Sequence, residues 1–212
     1  MSRTRIKFCG ITRVEDAMRA AVMGADAIGM VFTARSPRCV AIERARAIRA
    51  AVPPFVDVTA LFMDDDRDWV EEVVARVQPH YLQFHGEESR EECTSYARPY
   101  LKAIAMGEGA GALERLAGYP DAAGLLLDGH GLGEAGGSGR AFDWSLVPAA
   151  AKQPLILAGG LDAQNVGRAI AVARPWAVDV SSGIESMPGI KDPAAMRAFI
   201  DAVREADRHP PD

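Results

Sequence analysis

Two short apolar runs near the end of the chain stop abruptly in small residues: Leu155-Ile-Leu-Ala-Gly-Gly-Leu161 and Val178-Asp-Val-Ser-Ser-Gly183. Gly159, Gly160 and Gly183 leave backbone N–H groups unshielded, and Ser181 and Ser182 add hydroxyls. Ahead of helix-like segments, that combination makes a phosphate cradle, because partial positive charge collects at helix N-termini. Three other positions carry groups able to do chemistry. Cys9 ends an apolar run; a lone cysteine is ordinarily a small buried hydrophobe, but at a rim its thiolate could serve as base or nucleophile. A nucleophilic cysteine would want a neighbouring imidazole, for which His85 is the rim candidate. Asp128 follows Gly124-Leu-Leu-Leu and is either a loop cap or a general acid with its pKa raised by an apolar pocket. Arg38, stiffened by Pro37, is either a surface residue or a two-pronged grip on a carboxylate.

The elements that must position these groups alternate without interruption. Candidate strands run Arg5–Cys9, Ala27–Phe32, Val56–Phe62, Tyr81–His85, Leu101–Ile104, Gly124–Asp128, Pro154–Ala158 and Ala177–Ser181. Most are continuous apolar runs, as in parallel strands buried on both faces. Between them, Val14, Ala17, Met18, Ala21 and Val22 form one helical stripe closed by Gly24, and Trp69, Val70, Val73, Val74 and Val77 form another behind Asp64-Asp-Asp66. Asp192 and Pro193 open a last helix with Met196, Phe199, Ile200 and Val203 as its buried face. Eight strands and eight helices, one of them short and following Phe142-Asp-Trp144, predict an α/β chain folded as a single (β/α)₈ TIM barrel. The domain is expected over residues 1–208, with 209–212 a frayed tail. In such a barrel the strand C-termini carry the chemistry, and the loops after strands seven and eight often bind phosphate. That rule gathers Cys9, residues 33–38, His85, Asp128, Gly159-Gly160 and 181–183 on one rim. The Gly-rich stretch 129–140, with His130, is either a lid or a long surface loop.

Composition agrees with this reading. The 212 residues are 49% hydrophobic and carry a net charge of −5, which argues against a general nucleic-acid binder. No run approaches the ~18 apolar residues of a membrane span, and the N-terminus runs straight into a strand with no signal-like apolar region. Cys9, Cys39 and Cys93 are an odd, dispersed set that predicts no disulfide framework. A cytoplasmic location is expected. The metal expectation is none, since no paired His or Cys stands at ligand spacing.

Together the motifs resemble the phosphoribosylanthranilate isomerase family over almost the whole chain. The resemblance rests on Lys7-Phe-Cys-Gly-Ile-Thr12, Ser36-Pro-Arg38, Gln83-Phe-His-Gly86, Leu126-Leu-Asp128, Gly136-Gly-Ser-Gly139 with Phe142-Asp-Trp144, Ala158-Gly-Gly-Leu161, Asn165-Val166, Asp179-Val-Ser-Ser-Gly-Ile-Glu185 and Pro188-Gly-Ile-Lys-Asp192. Phe8, Phe84 and Ser138 depart from the usual Ile, Leu and Thr without removing a functional group.

The resemblance implies an Amadori rearrangement of N-(5-phosphoribosyl)anthranilate in tryptophan biosynthesis. Carried over by motif, Cys9 is the general base, Asp128 the general acid, and Arg38 the residue that binds the anthranilate carboxylate. Gly159, Gly160, Ser182 and Gly183 fall on the phosphate loops, and His85 is a substrate-side rim residue, either a ligand contact or a loop support. The implied chemistry calls for no cofactor. Its partner is a small phosphorylated aminoaldose, with neither nucleic acid nor membrane, and the chain is a monomer or a homodimer. The alternative is another phosphosugar barrel enzyme, an epimerase or the neighbouring pathway synthase. A non-catalytic binder would be expected to have lost Cys9 or Asp128, and a Cys-nucleophile transferase would pair Cys9 with His85.

Overall fold

The eight expected strands all form, β6 over its expected bounds and the others trimmed or extended by one residue at one or both ends: β1 (Arg5–Phe8), β2 (Ala27–Val31), β3 (Asp57–Phe62), β4 (Tyr81–Phe84), β5 (Tyr100–Ala105), β6 (Gly124–Asp128), β7 (Leu155–Leu157) and β8 (Ala177–Val180). They pair in chain order, all parallel, and β8 returns to β1 to close a barrel. The computed structural model describes residues 3–129, 141–149 and 151–209. The proposed lid, His130 and the Gly136–Gly139 motif lie outside the described residues, as does the tail beyond His209.

Alternation along each strand sends one set of side chains outward, where the shell of helices buries Ile6, Phe8, Ile28, Met30, Phe62, Leu82, Leu125 and Leu157. A stack of Phe32, Phe62, Phe84 and Tyr96 continues this shell across β2, β3 and β4. The inward set is smaller. Leu101, Ala103, Leu126, Ile156, Ala158 and Ala177 form one cluster, and Cys9, Val31 and Leu61 a separate one. Lys7 and Asp179, partners in the β1–β8 register, are also buried.

Among the described residues five crossovers carry α-helices, α1 (Val14–Met23), α2 (Ile42–Ala51), α3 (Arg67–Val77), α4 (Arg90–Thr94) and α5 (Val166–Ala173), and α6 (Pro193–Arg208) follows β8. The two expected helices after β5 and β6 are instead 3₁₀ segments, Met106–Gly118 and Trp144–Leu146. The first is broken by repeated glycine, which disfavours α-helix; the second is the short element foreseen after Phe142. α6 starts as expected, with the Asp192 carboxylate accepting from the Ala194 and Ala195 amides and Pro193 in the first turn. In α1 the buried face differs. Asp16, Ala17 and Ala20 face inward, while Met18 and Val22 are exposed. Small alanines permit close approach to the barrel, and Asp16 turns in because its carboxylate accepts from the Lys191 amide and pairs with Arg13 and Arg19. Between β8 and α6 the chain makes a hairpin that the strand pattern did not announce: β9 (Glu185–Met187) and β10 (Ile190–Lys191).

Candidate active site

One pocket opens at the C-terminal ends of the strands. Its walls include Cys9, Thr33, Arg38, Gln83, His85, Asp128, Gly159, Gly160 and Ser182. Seven of the eight site residues chosen from sequence therefore meet in one place. Gly183 is the exception and sits behind the wall: a Cβ there would overlap the Leu161 carbonyl. Its smallness serves the close packing of two loops.

Cys9 is buried at the first strand's end, its amide donating to the Val180 carbonyl at 2.8 Å. Beneath it, Lys7 Nζ donates to Asp179 Oδ2 at 2.9 Å and also reaches the Cys9 thiol. Burial pushes the Cys9 thiol above its ordinary range, with Lys7 pulling it back and Asp179 adding to the rise. Burial likewise raises the Asp179 carboxyl, against the pull of Lys7. It opposes the Lys7 ammonium too, but Asp179 and Cys9 outweigh burial and lift it above the usual lysine value. Cys9 is thus flanked by an ammonium, which lowers the cost of forming a thiolate in a dry site.

Across the barrel, Asp128 ends β6 with His85 Nε2 3.6 Å from its Oδ2. The other ring nitrogen of His85 lies 3.3 Å from Gln83 Nε2. The backbone that carries His85 is pinned from below by Lys102 on β5. Its buried ammonium donates to the Gly86 carbonyl at 2.6 Å and the Phe84 carbonyl at 3.3 Å, and pairs with Glu88 at 3.1 Å.

Arg38 reaches the pocket from the loop after β2 and is held by an internal carboxylate. Its Nε donates to Glu185 Oε1 at 2.9 Å and its Nη2 to Oε2 at 2.7 Å. Lys191 Nζ donates to the same Oε1 at 2.8 Å and to the Ser181 carbonyl at 3.0 Å. Burial would raise the Glu185 carboxyl, but the Arg38 and Lys191 donors hold it below the usual carboxylate range. Burial draws the Lys191 ammonium below the usual lysine range, with Glu185 resisting.

Opposite Arg38, Gly159 and Gly160 both adopt left-handed backbone, at φ +81° and +63°, a conformation open to glycine without steric cost. Their loop is tied down from behind: Asn165 Nδ2 donates to the Gly160 carbonyl, and the Asp162 carboxylate accepts from the Gln164 and Asn165 amides. α5 begins only at Val166, so the amides offered at this part of the rim belong to a glycine turn and to the 3₁₀ turn Ser182–Ile184 rather than to a long helix end.

Sequence reasoning chose no role for Lys7, Asp179, Glu185 or Lys191. A signal was present for the first two: a charge inside an apolar strand is the same cue that marked Asp128. For Glu185 and Lys191 there was none, since a polar hairpin reads as an exposed loop.

A family model described as N-(5'-phosphoribosyl)anthranilate (PRA) isomerase matches residues 6–202. An N-(5'-phosphoribosyl)anthranilate isomerase of Pseudomonas paraeruginosa is 56% identical over 208 residues, covering 98% of this chain and 99% of the relative. The fold is shared with a phosphoribosyl anthranilate isomerase solved in complex with reduced 1-(o-carboxyphenylamino)-1-deoxyribulose 5-phosphate, at 37% identity and a TM-score of 0.85, covering 95% of this chain and 99% of that one. Similar too, at 36% identity and a TM-score of 0.84 over the same shares, is a Thermotoga maritima structure described as mutually generated monomers of a dimeric phosphoribosylanthranilate isomerase.

Proposed function

This chain belongs to the N-(5'-phosphoribosyl)anthranilate isomerase family, and from that premise we propose how its rim performs the family's reaction. The reaction is an aldose–ketose isomerisation in tryptophan biosynthesis, from N-(5-phosphoribosyl)anthranilate to 1-(2-carboxyphenylamino)-1-deoxyribulose 5-phosphate. Asp128 protonates the ring oxygen of the closed aminoaldose, and the ring opens to a Schiff base with positive charge near nitrogen. That charge acidifies the C2 proton, which Cys9 removes as thiolate, and the enolamine tautomerises to the product ketone. The Gly159-Gly160 turn and the Ser182-Gly183 turn hold the phosphate, Arg38 takes the anthranilate carboxylate, and His85 contacts the ligand beside Asp128.

One observation supports this reading above the others: Cys9 just after β1 and Asp128 at the end of β6 face one pocket from different strand ends, so base and acid approach the sugar from different sides. Cys9→Ser and Asp128→Asn preserve shape, and each removes help given only in the transition state. Both variants should lose most turnover while still binding the reduced product analogue, read by a fluorescence assay of substrate loss and by calorimetry. Near-parent kcat in Cys9→Ser would remove the thiol from the mechanism.

The chain is further read as a cytoplasmic homodimer. Among the described residues no helix is long and apolar enough to cross a membrane. At the opposite mouth of the barrel Phe55 is fully exposed beside a cavity lined by Arg5, Tyr81 and Trp176. A second copy is the proposed occupant of that face. Sedimentation of Phe55→Ser as a monomer, against a dimeric parent, is the expected outcome; identical sedimentation of the two would overturn it.

A further inference from the structure

Arg38 presents two edges able to take a carboxylate: a side edge formed by Nε and Nη2, and an end edge formed by Nη1 and Nη2. Glu185 occupies the side edge with two hydrogen bonds, which fixes the guanidinium plane and leaves the end edge for a second carboxylate. Alone, however, that arrangement weakens its own grip. The negative charge of the paired glutamate repels an anion at the arginine's other edge and so cancels part of the attraction the guanidinium exerts there. Lys191 removes the difficulty. Its ammonium is wholly buried, donates to the same Glu185 oxygen and is anchored on the Ser181 carbonyl. Two cations then stand against one carboxylate, so the trio retains one positive charge.

We propose that Lys191 is a specificity-determining positioning residue: by neutralising Glu185 it leaves the Arg38 guanidinium positively charged toward the substrate's carboxylate, while Glu185 sets its orientation. Lys191 itself needs no contact with the ligand. The inference rests on the reading that Arg38 binds the anthranilate carboxylate. It accounts for two features that reading leaves idle, Glu185 at the start of β9 and the Pro188-Gly-Ile-Lys-Asp192 segment. The hairpin also fits this role. The Gly189 amide donates to Glu185 Oε1 at 3.2 Å, and the Lys191 amide donates to buried Asp16, so both charged side chains are carried on a backbone tied to the barrel.

The test compares two ligands by calorimetry: the reduced product analogue and its aniline-derived counterpart without the carboxyl group. The ratio of their dissociation constants reports recognition of the carboxylate alone, and any general loosening of the site cancels. Arg38→Ala should collapse the ratio toward one; if it does not, the underlying reading of Arg38 fails. Given that collapse, Lys191→Met should lower the ratio about tenfold, the scale of one charge-assisted contact. Adding Glu185→Gln to Lys191→Met restores the trio's single positive charge and should bring the ratio back to within about threefold of the parent. An unchanged ratio in Lys191→Met, with Arg38→Ala collapsed, would overturn the inference. So would a folded double variant whose ratio stays as low as that of the single. Should Lys191→Met fail to fold, the double variant, which keeps the parent trio's net charge, decides by the same ratio.

Discussion

Under Cys9, Lys7 and Asp179 form an ion pair whose side chains are 5% and 7% exposed. The sharpest perturbation is to remove one partner and then both. Lys7→Met leaves the Asp179 carboxylate buried with its cation gone, and its Oδ1 already has no hydrogen-bond partner among the described residues. Breaking a buried pair in this way costs about 3–5 kcal/mol. For a chain of this length that is a fall of roughly 6–20 °C in melting temperature, at about 2–4 °C per kcal/mol. Lys7→Met with Asp179→Leu removes both charges and their desolvation, so it should return to parental stability or exceed it by about 1–4 kcal/mol.

The pH dependence has a definite sign. A carboxyl whose folded pKa lies above its unfolded value binds extra protons in the folded state, so its penalty grows as pH rises through that range and fades as pH falls. The Asp179 carboxyl is raised already in the parent, and loss of Lys7 raises it further. The defect of Lys7→Met should therefore be largest at neutral pH and shrink on acidification, while the double variant shows neither effect. Turnover should follow a different order: low in both variants, since both deprive Cys9 of its neighbouring ammonium. Urea melts at several pH values and steady-state kinetics read these quantities separately. A double variant as unstable as Lys7→Met, or one with parental kcat, would refute the reasoning.

Three further outcomes are expected. Gly160→Val places a side chain where left-handed backbone and open amides are needed, so it should raise KM and weaken the reduced analogue while an analogue without phosphate binds as weakly as before. Gly183→Val instead drives a side chain into the Leu161 carbonyl, so its first symptom should be a lower melting temperature; a phosphate-specific loss with unchanged stability would reverse this distinction. Burial raises the Cys9 thiol, so its alkylation by iodoacetamide, followed on the Cys9 peptide, should rise with pH on the alkaline side of an ordinary cysteine. A thiolate titrating at or below the ordinary range would contradict the buried geometry.

The barrel was legible because parallel strands buried on both faces are written as apolar runs, and most of the eight carry that mark. The rim followed from it: once strand ends are known, Cys9, His85 and Asp128 are placed without any contact being known. What escaped was whatever depends on a partner distant in the chain. Asp16 was left out of the buried stripe drawn for α1 because its partner, the Lys191 amide, is 175 residues away. For the same reason the apolar stripe of α1 was drawn through Met18 and Val22, which are exposed. The packing role of Gly183 was hidden because the Leu161 carbonyl that it accommodates belongs to another loop. Lys7 and Asp179 are 172 residues apart, and neither explains its place inside a strand until the other is opposite it.

The closing seam of the barrel has a consequence for the order in which the chain becomes competent. The ribosome makes β1, which leads into the thiol, before the other strands of the barrel, but its neighbours on one side are made after β7: Cys9 bonds to Val180, Lys7 to Asp179, and Thr4 to Asp207 of α6. A nascent chain interrupted after β7 would already contain the arginine, the imidazole and the acid, yet β1 would be an open edge with an unpaired lysine and an unsupported cysteine. Catalytic competence therefore arrives in a single step, when β8 and α6 have emerged and the ring shuts. Until then the incomplete edge is the part of the molecule most in need of protection from pairing with a neighbour.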